Sequence, residues 1–240
     1  MYTIAIGIGE NRDVLKAISI FKTQHSDCNI KLIEKEEDLI KAIKDEDVDA
    51  VIRGSLPSSS IMKDIKEHYS SNLITRATYV NGENQEFLLS PVGIDEGSTI
   101  EEKYEIAINC AKFLEKLQKT PKIAILAGGR KGDYGRSEEI NKSIDESEKL
   151  FDLLSKTNLD VKNYYILIEQ AVKDKCNVII APDGITGNII FRTLILINKW
   201  PSNGAITFGL DKIYIDTSRS QSVEGYLRSI KLAYNLNNIY

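Results

Sequence analysis

KIAILAGGRKGDYGR, residues 122–136, carries the reading of the fold. Ile123, Ala124, Ile125 and Leu126 make a short, partly β-branched apolar run bounded by Pro121 and Gly128, which predicts a buried strand. The strand cannot continue through the glycines beyond it. Gly128, Gly129, Gly132 and Gly135 permit positive φ and close backbone approach, so successive N–H groups can point at one cluster of ligand oxygens. Arg130, Lys131 and Arg136 supply charge, and Ser137 with Glu138 and Glu139 has the form of an N-cap with an acidic first turn. The stretch reads as strand, candidate anion cradle, helix. The same residues also suit a solvated glycine-rich turn, and the rest of the chain decides between the two.

The pattern repeats in both directions. Strands are predicted over 2–6, 30–33, 48–52, 161–168, 177–181 and 212–216, and helices over 14–21, 36–44, 61–69, 99–119, 137–156, 168–173 following directly on its strand, 189–199 and from 223 onward. Residues 73–80 and 86–92 flank Asn81 and Gly82 with the turn chemistry of a β-hairpin, and 202–204 reads as a turn. Strand alternating with helix predicts an α/β fold, with a mostly parallel sheet covered on both faces.

At 240 residues the chain can build one large α/β domain or two lobes. Its 31 Lys+Arg against 35 Asp+Glu give a net charge of −4, so neither nucleic acid nor an acidic membrane attracts it and any anion site must be local. Cys28, Cys110 and Cys176 are far apart and form no C-x-x-C pair, which argues against a disulfide framework and fits a reducing cytoplasm. His25 and His68 lack metal-ligand spacing, so no metal is expected. No run approaches the ~18 apolar residues of a membrane helix, and the first strand lacks the flanks of a secretory signal. A soluble, cytoplasmic protein is expected.

Three further strand ends carry polar loops. Arg53 and Ser55 follow the strand at 48–52; Asp183, Gly187 and Asn188 follow the strand at 177–181, with Asn188 as a candidate cap; Ser218 and Arg219 follow the strand at 212–216. Each suits ordinary capping, yet in an open parallel sheet such loops gather at one edge, where ligands bind. With Gly129, Arg130, Lys131 and Gly132 they make a candidate site for a small anionic ligand. Gly7 and Gly9 follow the first strand, but Arg12 stands where the dinucleotide fingerprint needs its third glycine, and a tight turn is the simpler reading.

The runs EKYEIAINCAKFLEKLQKTPKIAILAGGRKG, CNVIIAPDGITGNIIFRTL and GAITFGLDKIYIDTSRSQSVEGYLRSIKLA resemble segments of phosphate acetyl/butyryltransferases, in the same order. Length and motif set are closer still to the MtxX-type methanogenesis marker family of methanogenic archaea, which carries a methyltransferase label. The resemblance implies an isocitrate-dehydrogenase-like three-layer α/β/α sandwich in two lobes, residues 1–128 plus 213–240 and residues 129–212. The active cleft would lie between them, and the second lobe would form a homodimer. It also implies that Ser218 and Arg219 meet a phosphate or acyl phosphate, with Lys131 and Gly132 in the same cleft. Two positions depart from the pattern. A serine-rich loop of the transferases is Ala127, Gly128 and Gly129 here, and an aspartate proposed as their general base aligns with Gly225, leaving Glu224 one position early. A shift of one residue turns a helical side chain by roughly 100°.

Three functions are consistent with this reading. One is acyl transfer between phosphate and a thiol carrier such as coenzyme A, with Arg219 and Arg130 neutralising charge, Ser218 and Glu224 as catalytic partners and no further cofactor. Another is methyl transfer, alone or as a subunit beside a methyltransferase complex partner. The third is a non-catalytic protein that binds a phosphate ligand.

Overall fold

A computed structural model of the chain describes residues 1–57, 59–69, 73–82 and 85–237. Its contacts divide the chain into two compact units, residues 1–74 with 202–240 and residues 75–201. The expected lobes have their boundaries elsewhere, at 128 and 212. The difference arises from strand pairing in the second unit, where the strands at 85–90 and 122–126 flank the one at 178–180.

In the first unit β1 (Tyr2–Gly7) pairs in parallel with β2 (Cys28–Ile33) and β3 (Ala50–Ile52). Beyond β3 lies β10 (Ile213–Asp216), also parallel, and then antiparallel β9 (Ser202–Phe208). Ala5, Val51 and Tyr214 stand at matched register and join the core formed with Leu39, Ala42 and Ile43 of α2 (Glu36–Lys44) and Ile61, Met62 and Ile65 of α3 (Ser59–His68). Alternation sends the neighbouring residues Ile4, Ile6 and Ile215 to the other face. There α1 (Asp13–Gln24) and α8 (Val223–Leu236) pack together. The acidic first turn and basic last turn of α2 complement its dipole.

In the second unit the order is β4 (Thr75–Gly82), β5 (Gln85–Ser90), β8 (Val178–Ile180), β6 (Lys122–Leu126) and β7 (Asp160–Tyr165). Only the β4–β5 hairpin is antiparallel here. Helix α4 (Ile100–Lys116) starts at Thr99, whose Oγ1 accepts the Glu102 amide at 3.1 Å, and packs on α5 (Glu138–Leu154), capped by Ser137. Helix α6 (Ile168–Lys173) leads back to β8.

Several elements differ from expectation: Asn81 and Gly82 end β4 as paired residues and not as its turn, and β7 stops at Tyr165. Residues 202–204 open β9 instead of turning, with Gly204 supplying φ +90 inside the strand. Helix α7 (Gly184–Phe191) begins five residues before Ile189, and a π-helical stretch continues it through Ile197. The cap is Asp183, whose Oδ1 accepts the Thr186 amide at 2.7 Å, so Asn188 lies within the helix and donates from Nδ2 to the Val92 carbonyl at 2.9 Å. Gly184 and Gly187 lie within the helix, and glycine is needed there because the 91–93 backbone lies against them: a Cβ would overlap the carbonyl oxygens of Gly93 and Pro91. Gly187→Ala should therefore lower stability by about 2–3 kcal/mol, whereas Gly132→Ala, with nothing within 4 Å of its Cβ, should be close to neutral. Urea unfolding of both variants measures the contrast.

Candidate functional site

Matched register sets Ile6, Ile52 and Ile215 side by side, so three loops of the first unit meet at the carboxyl ends of β1, β3 and β10. Arg53 does not face a ligand there. It is 6% exposed, and its guanidinium donates from Nε to Asp216 Oδ1, from Nη1 to the Leu56 carbonyl and from Nη2 to the Thr217 carbonyl. Ser55 is buried too, its Oγ accepting the Gly9 amide at 2.7 Å. Gly54 adopts φ +62 with no room for a Cβ against the Gly7 carbonyl, and its own carbonyl accepts Thr217 Oγ1 at 2.7 Å. Gly7, Gly9 and Gly54 thus interlock two loops. The ligand roles expected of Arg53 and Ser55 give way to internal ones.

Ser218 and Arg219 stand differently. Their main-chain carbonyls each accept Tyr226 O–H at 3.1 Å, and Asn11 Nδ2 donates to the carbonyls of Arg219 at 2.9 Å and Gln221 at 3.0 Å. Burial pushes the Tyr226 phenol up to about 12, so it remains a donor. Ser218 Oγ accepts the Ser220 amide at 3.3 Å. The Arg219 side chain is exposed, with no hydrogen-bond or ion-pair partner among the described residues. The loop is pinned by its backbone and free at its guanidinium. Ser222 caps α8 beside it, accepting the Gly225 amide at 3.2 Å.

Neither of the two carboxylates that flank this loop in sequence, Asp216 and Glu224, is placed as a base. Glu224 is exposed, and hydrogen bonds from its own amide and from Ser222 hold its carboxyl below the usual range, which weakens it as a proton acceptor. Gly225 is buried beneath the Gln221 side chain, which fills the space a Cβ would need. Asp216 is bound to Arg53.

In the second unit the glycine loop is occupied by its own carboxylate. Asp133 Oδ2 accepts the Arg130 amide at 2.8 Å and Oδ1 the Arg136 Nη1 at 2.9 Å, while the Gly128 amide goes to Ser143 Oγ at 2.8 Å and the Gly135 amide to Asn141 Oδ1 at 2.6 Å. The expected convergence of N–H groups on a ligand gives way to internal pairing. Gly129 is buried against Ile140, Arg130 and Gly132 are exposed, and exposed Lys131 lies 3.5 Å from Glu148. The four expected loops therefore fall into two pairs, one in each unit. Asp183 is spent on its cap, with Oδ2 also accepting Thr186 Oγ1 at 3.1 Å, and Gly187 is a packing glycine.

Sequence reasoning missed Lys103, which α4 buries so that Nζ donates to Glu146 at 2.7 Å and to the Pro182 carbonyl at 2.8 Å. It missed Glu96 as well, a buried carboxylate accepting Arg76 Nε at 2.8 Å and the Gly93 amide at 3.2 Å. Both carry charge at positions that local pattern assigns to a solvated face or loop. A cavity of about 650 Å³ opens at the amino ends of β1, β3 and β10, lined by Lys44, Lys212, Asp49 and Asp211 among others. With Glu46 its lining sets three carboxylates against two lysines, which does not favour an anion, and it lies away from the carboxyl-end loops. Among the described residues no three His, Cys, Asp or Glu side chains could hold a metal, and no helix is long and apolar enough to cross a membrane.

The fold is one found among phosphotransacylases and dehydrogenases. A branched-chain phosphotransacylase from Enterococcus faecalis matches with a TM-score of 0.77 at 14% identity, over 100% of this chain and 99% of that one. A β-decarboxylating dehydrogenase from Thermococcus kodakarensis gives 0.58 at 12% identity, over 94% and 76%. No protein-family model matches the sequence. Two curated relatives are closer in sequence. An "uncharacterized methyltransferase" of Methanocaldococcus jannaschii is 39% identical over 238 residues, 95% of each chain. A Methanosarcina mazei protein named "Putative methyltransferase mtx subunit X" is 37% identical over 194 residues, 80% of this chain and 68% of that one. The chain belongs to this MtxX-type family of methanogen proteins.

Arg53→Ala should cost about 3–5 kcal/mol of stability by breaking the buried ion pair with Asp216, and Arg53→Met combined with Asp216→Leu should recover most of it. Urea midpoints of the single and double variants test this. A double variant as unstable as the single one would mean that the carbonyl contacts, not the ion pair, set the cost.

Proposed function

We propose that the protein is a transferase-class protein that binds a small phosphate-bearing anion, such as an acyl phosphate or the phosphates of coenzyme A, at the Ser218–Arg219 loop. The carrying observation is an exposed, unpartnered guanidinium on a loop whose main chain is fixed by Asn11 and Tyr226. It stands beside the capped start of α8, at the carboxyl ends of parallel strands. A planar fork held this way suits bidentate phosphate recognition. With Glu224 weakly basic and Asp216 bound to Arg53, transfer at this site suits a nucleophile that arrives ionised, as a thiolate does.

The names of the relatives support a second reading, methyl transfer, alone or as a subunit in a methyltransferase complex. The lowered carboxyl of Glu224 and the filled space over Gly225 support a third, ligand binding without catalysis. Three buried free cysteines suit a cytoplasmic setting.

Thermal melts with phosphate, acetyl phosphate, coenzyme A, S-adenosylmethionine and S-adenosylhomocysteine separate these readings, because selective binding to the native state raises the apparent Tm. Stabilisation by acetyl phosphate or coenzyme A is expected, and Arg219→Ala should weaken phosphate binding by about 1.5–3 kcal/mol. A shift confined to the adenosyl compounds would move the assignment to methyl transfer. A shift without turnover in an acyl-transfer assay would leave ligand binding alone.

We also propose a homodimer through the exposed face of α7. Ile185 and Ile189 stand one turn apart there and are each 59% exposed. No charged side chain interrupts residues 184–191, so a second copy could cover the face without stranding a charge. Ile189→Asp should shift the protein to monomer in light scattering, and an unchanged mass would exclude this face.

A further inference from the structure

We infer that Asn11 is a positioning residue for Arg219, acting from the β1–α1 connection through the main chain of the 218–221 loop. The inference rests on the reading of Arg219 as the anion-binding group. Asn11 lies between β1 and α1, and the residues it holds come 208 and 210 positions later. Its amide nitrogen places one N–H on the Arg219 carbonyl at 2.9 Å and the other on the Gln221 carbonyl at 3.0 Å. Its Oδ1 accepts the Asp13 amide at 3.0 Å, at the first turn of α1. Three of the four hydrogen bonds a carboxamide can make are thus used, and the geometry needs a side chain with two donors on one atom and an acceptor on the next. Aspartate has no donor to give, and serine has one.

Tyr226 completes the hold from below. Its ring is buried and its O–H faces the carbonyls of Ser218 and Arg219. The Gln221–Ser218 main-chain turn, at 3.1 Å, closes the loop on itself. Every one of these contacts falls on backbone, and none touches the guanidinium. The loop is therefore ordered before a ligand arrives, and binding need not order it. Asn11 ties the presentation of Arg219 to the start of α1, an element the ligand need not meet.

Two readouts test this in the intact protein. In the first, trypsin under native conditions reports opening of the loop as cleavage after Arg219, against cleavage at other exposed lysines and arginines. Asn11→Ala should speed cleavage after Arg219 about tenfold, the order expected for two lost hydrogen bonds, with other sites unchanged. Tyr226→Phe, which keeps the buried ring, should do the same to a smaller degree. A rise at all sites alike, tracking global stability, would overturn the inference, as would no rise at Arg219. The second readout is a double-mutant cycle on inorganic phosphate affinity. Asn11→Ala should weaken binding about fivefold beside Arg219 and have no effect beside Arg219→Ala. An equal loss in both backgrounds would also overturn it. If Arg219→Ala leaves phosphate affinity as it was, the anion reading fails, and cleavage alone then decides whether Asn11 holds the loop.

Discussion

The first unit depends on where one guanidinium goes. Arg53 is 163 residues from Asp216, and its buried fork reads that carboxylate, the Thr217 carbonyl and the Leu56 carbonyl together. The fork is planar and rigid, so these acceptors can stand in few arrangements. That fixes β10 beside β3 at the end where the loops leave the sheet, joining segments from the two ends of the chain. A hydrophobic pair of similar volume could be as stable, but it would not specify which carbonyls meet. The Gly7, Gly9 and Gly54 interlock belongs to the same closure, since two loops can touch backbone to backbone only where side chains are absent.

A second regularity concerns the chain's own anions. Asp133 fills the glycine loop, Asp183 fills the start of α7, and Asp216 satisfies Arg53. Each is a place where strand end, helix start and positive charge predict affinity for an external anion. An internal carboxylate competes for such a place with the advantage of being already tethered. Two guanidiniums of the expected site stay outside this pairing, those of Arg130 and Arg219, and of the two it is Arg219 whose main chain is held by side chains distant in sequence.

Much of the architecture is legible in the sequence because it rests on local periodicity. The glycine stretch at 122–136 specifies its strand and the helix capped by Ser137, and the parallel α/β order comes from repeating that unit along the chain. Helix α2 matches its expected span at both ends, because charge bias at its termini and the apolar face agree. The failures have a common cause. Asn188 has the local form of a cap, and Gly184 and Gly187 that of loop residues, because the contact that requires those glycines comes from residues 91–93, distant in sequence. Ser202, Asn203 and Gly204 have the composition of a turn, and only the pairing partner makes them a strand. At the site, Arg53 and Arg219 are alike in local context: each comes after a buried strand and precedes serines. What separates them is burial and the position of Asp216, which depend on tertiary closure.

The same distinction bears on chemistry. A resemblance in sequence is most informative where a motif is short and backbone-borne, as at Ser218 and Arg219, and least where one side chain must sit at one angle on a helix. Gly225 cannot offer a carboxylate, and Gln221 has taken the space above it. Glu224 is exposed at the neighbouring position, where its hydrogen bonds favour the charged, weakly basic form. On the proposed reading, the anion-binding part of such a site and its proton-accepting part are separable, and the Ser218–Arg219 loop would supply only the first. A site of that kind would hold and orient an anion and promote transfer to a nucleophile already ionised, since Glu224, the carboxylate expected as its base, is weakly basic. Thiolates meet that condition and alcohols do not, because a thiol gives up its proton at pH values where an alcohol holds it.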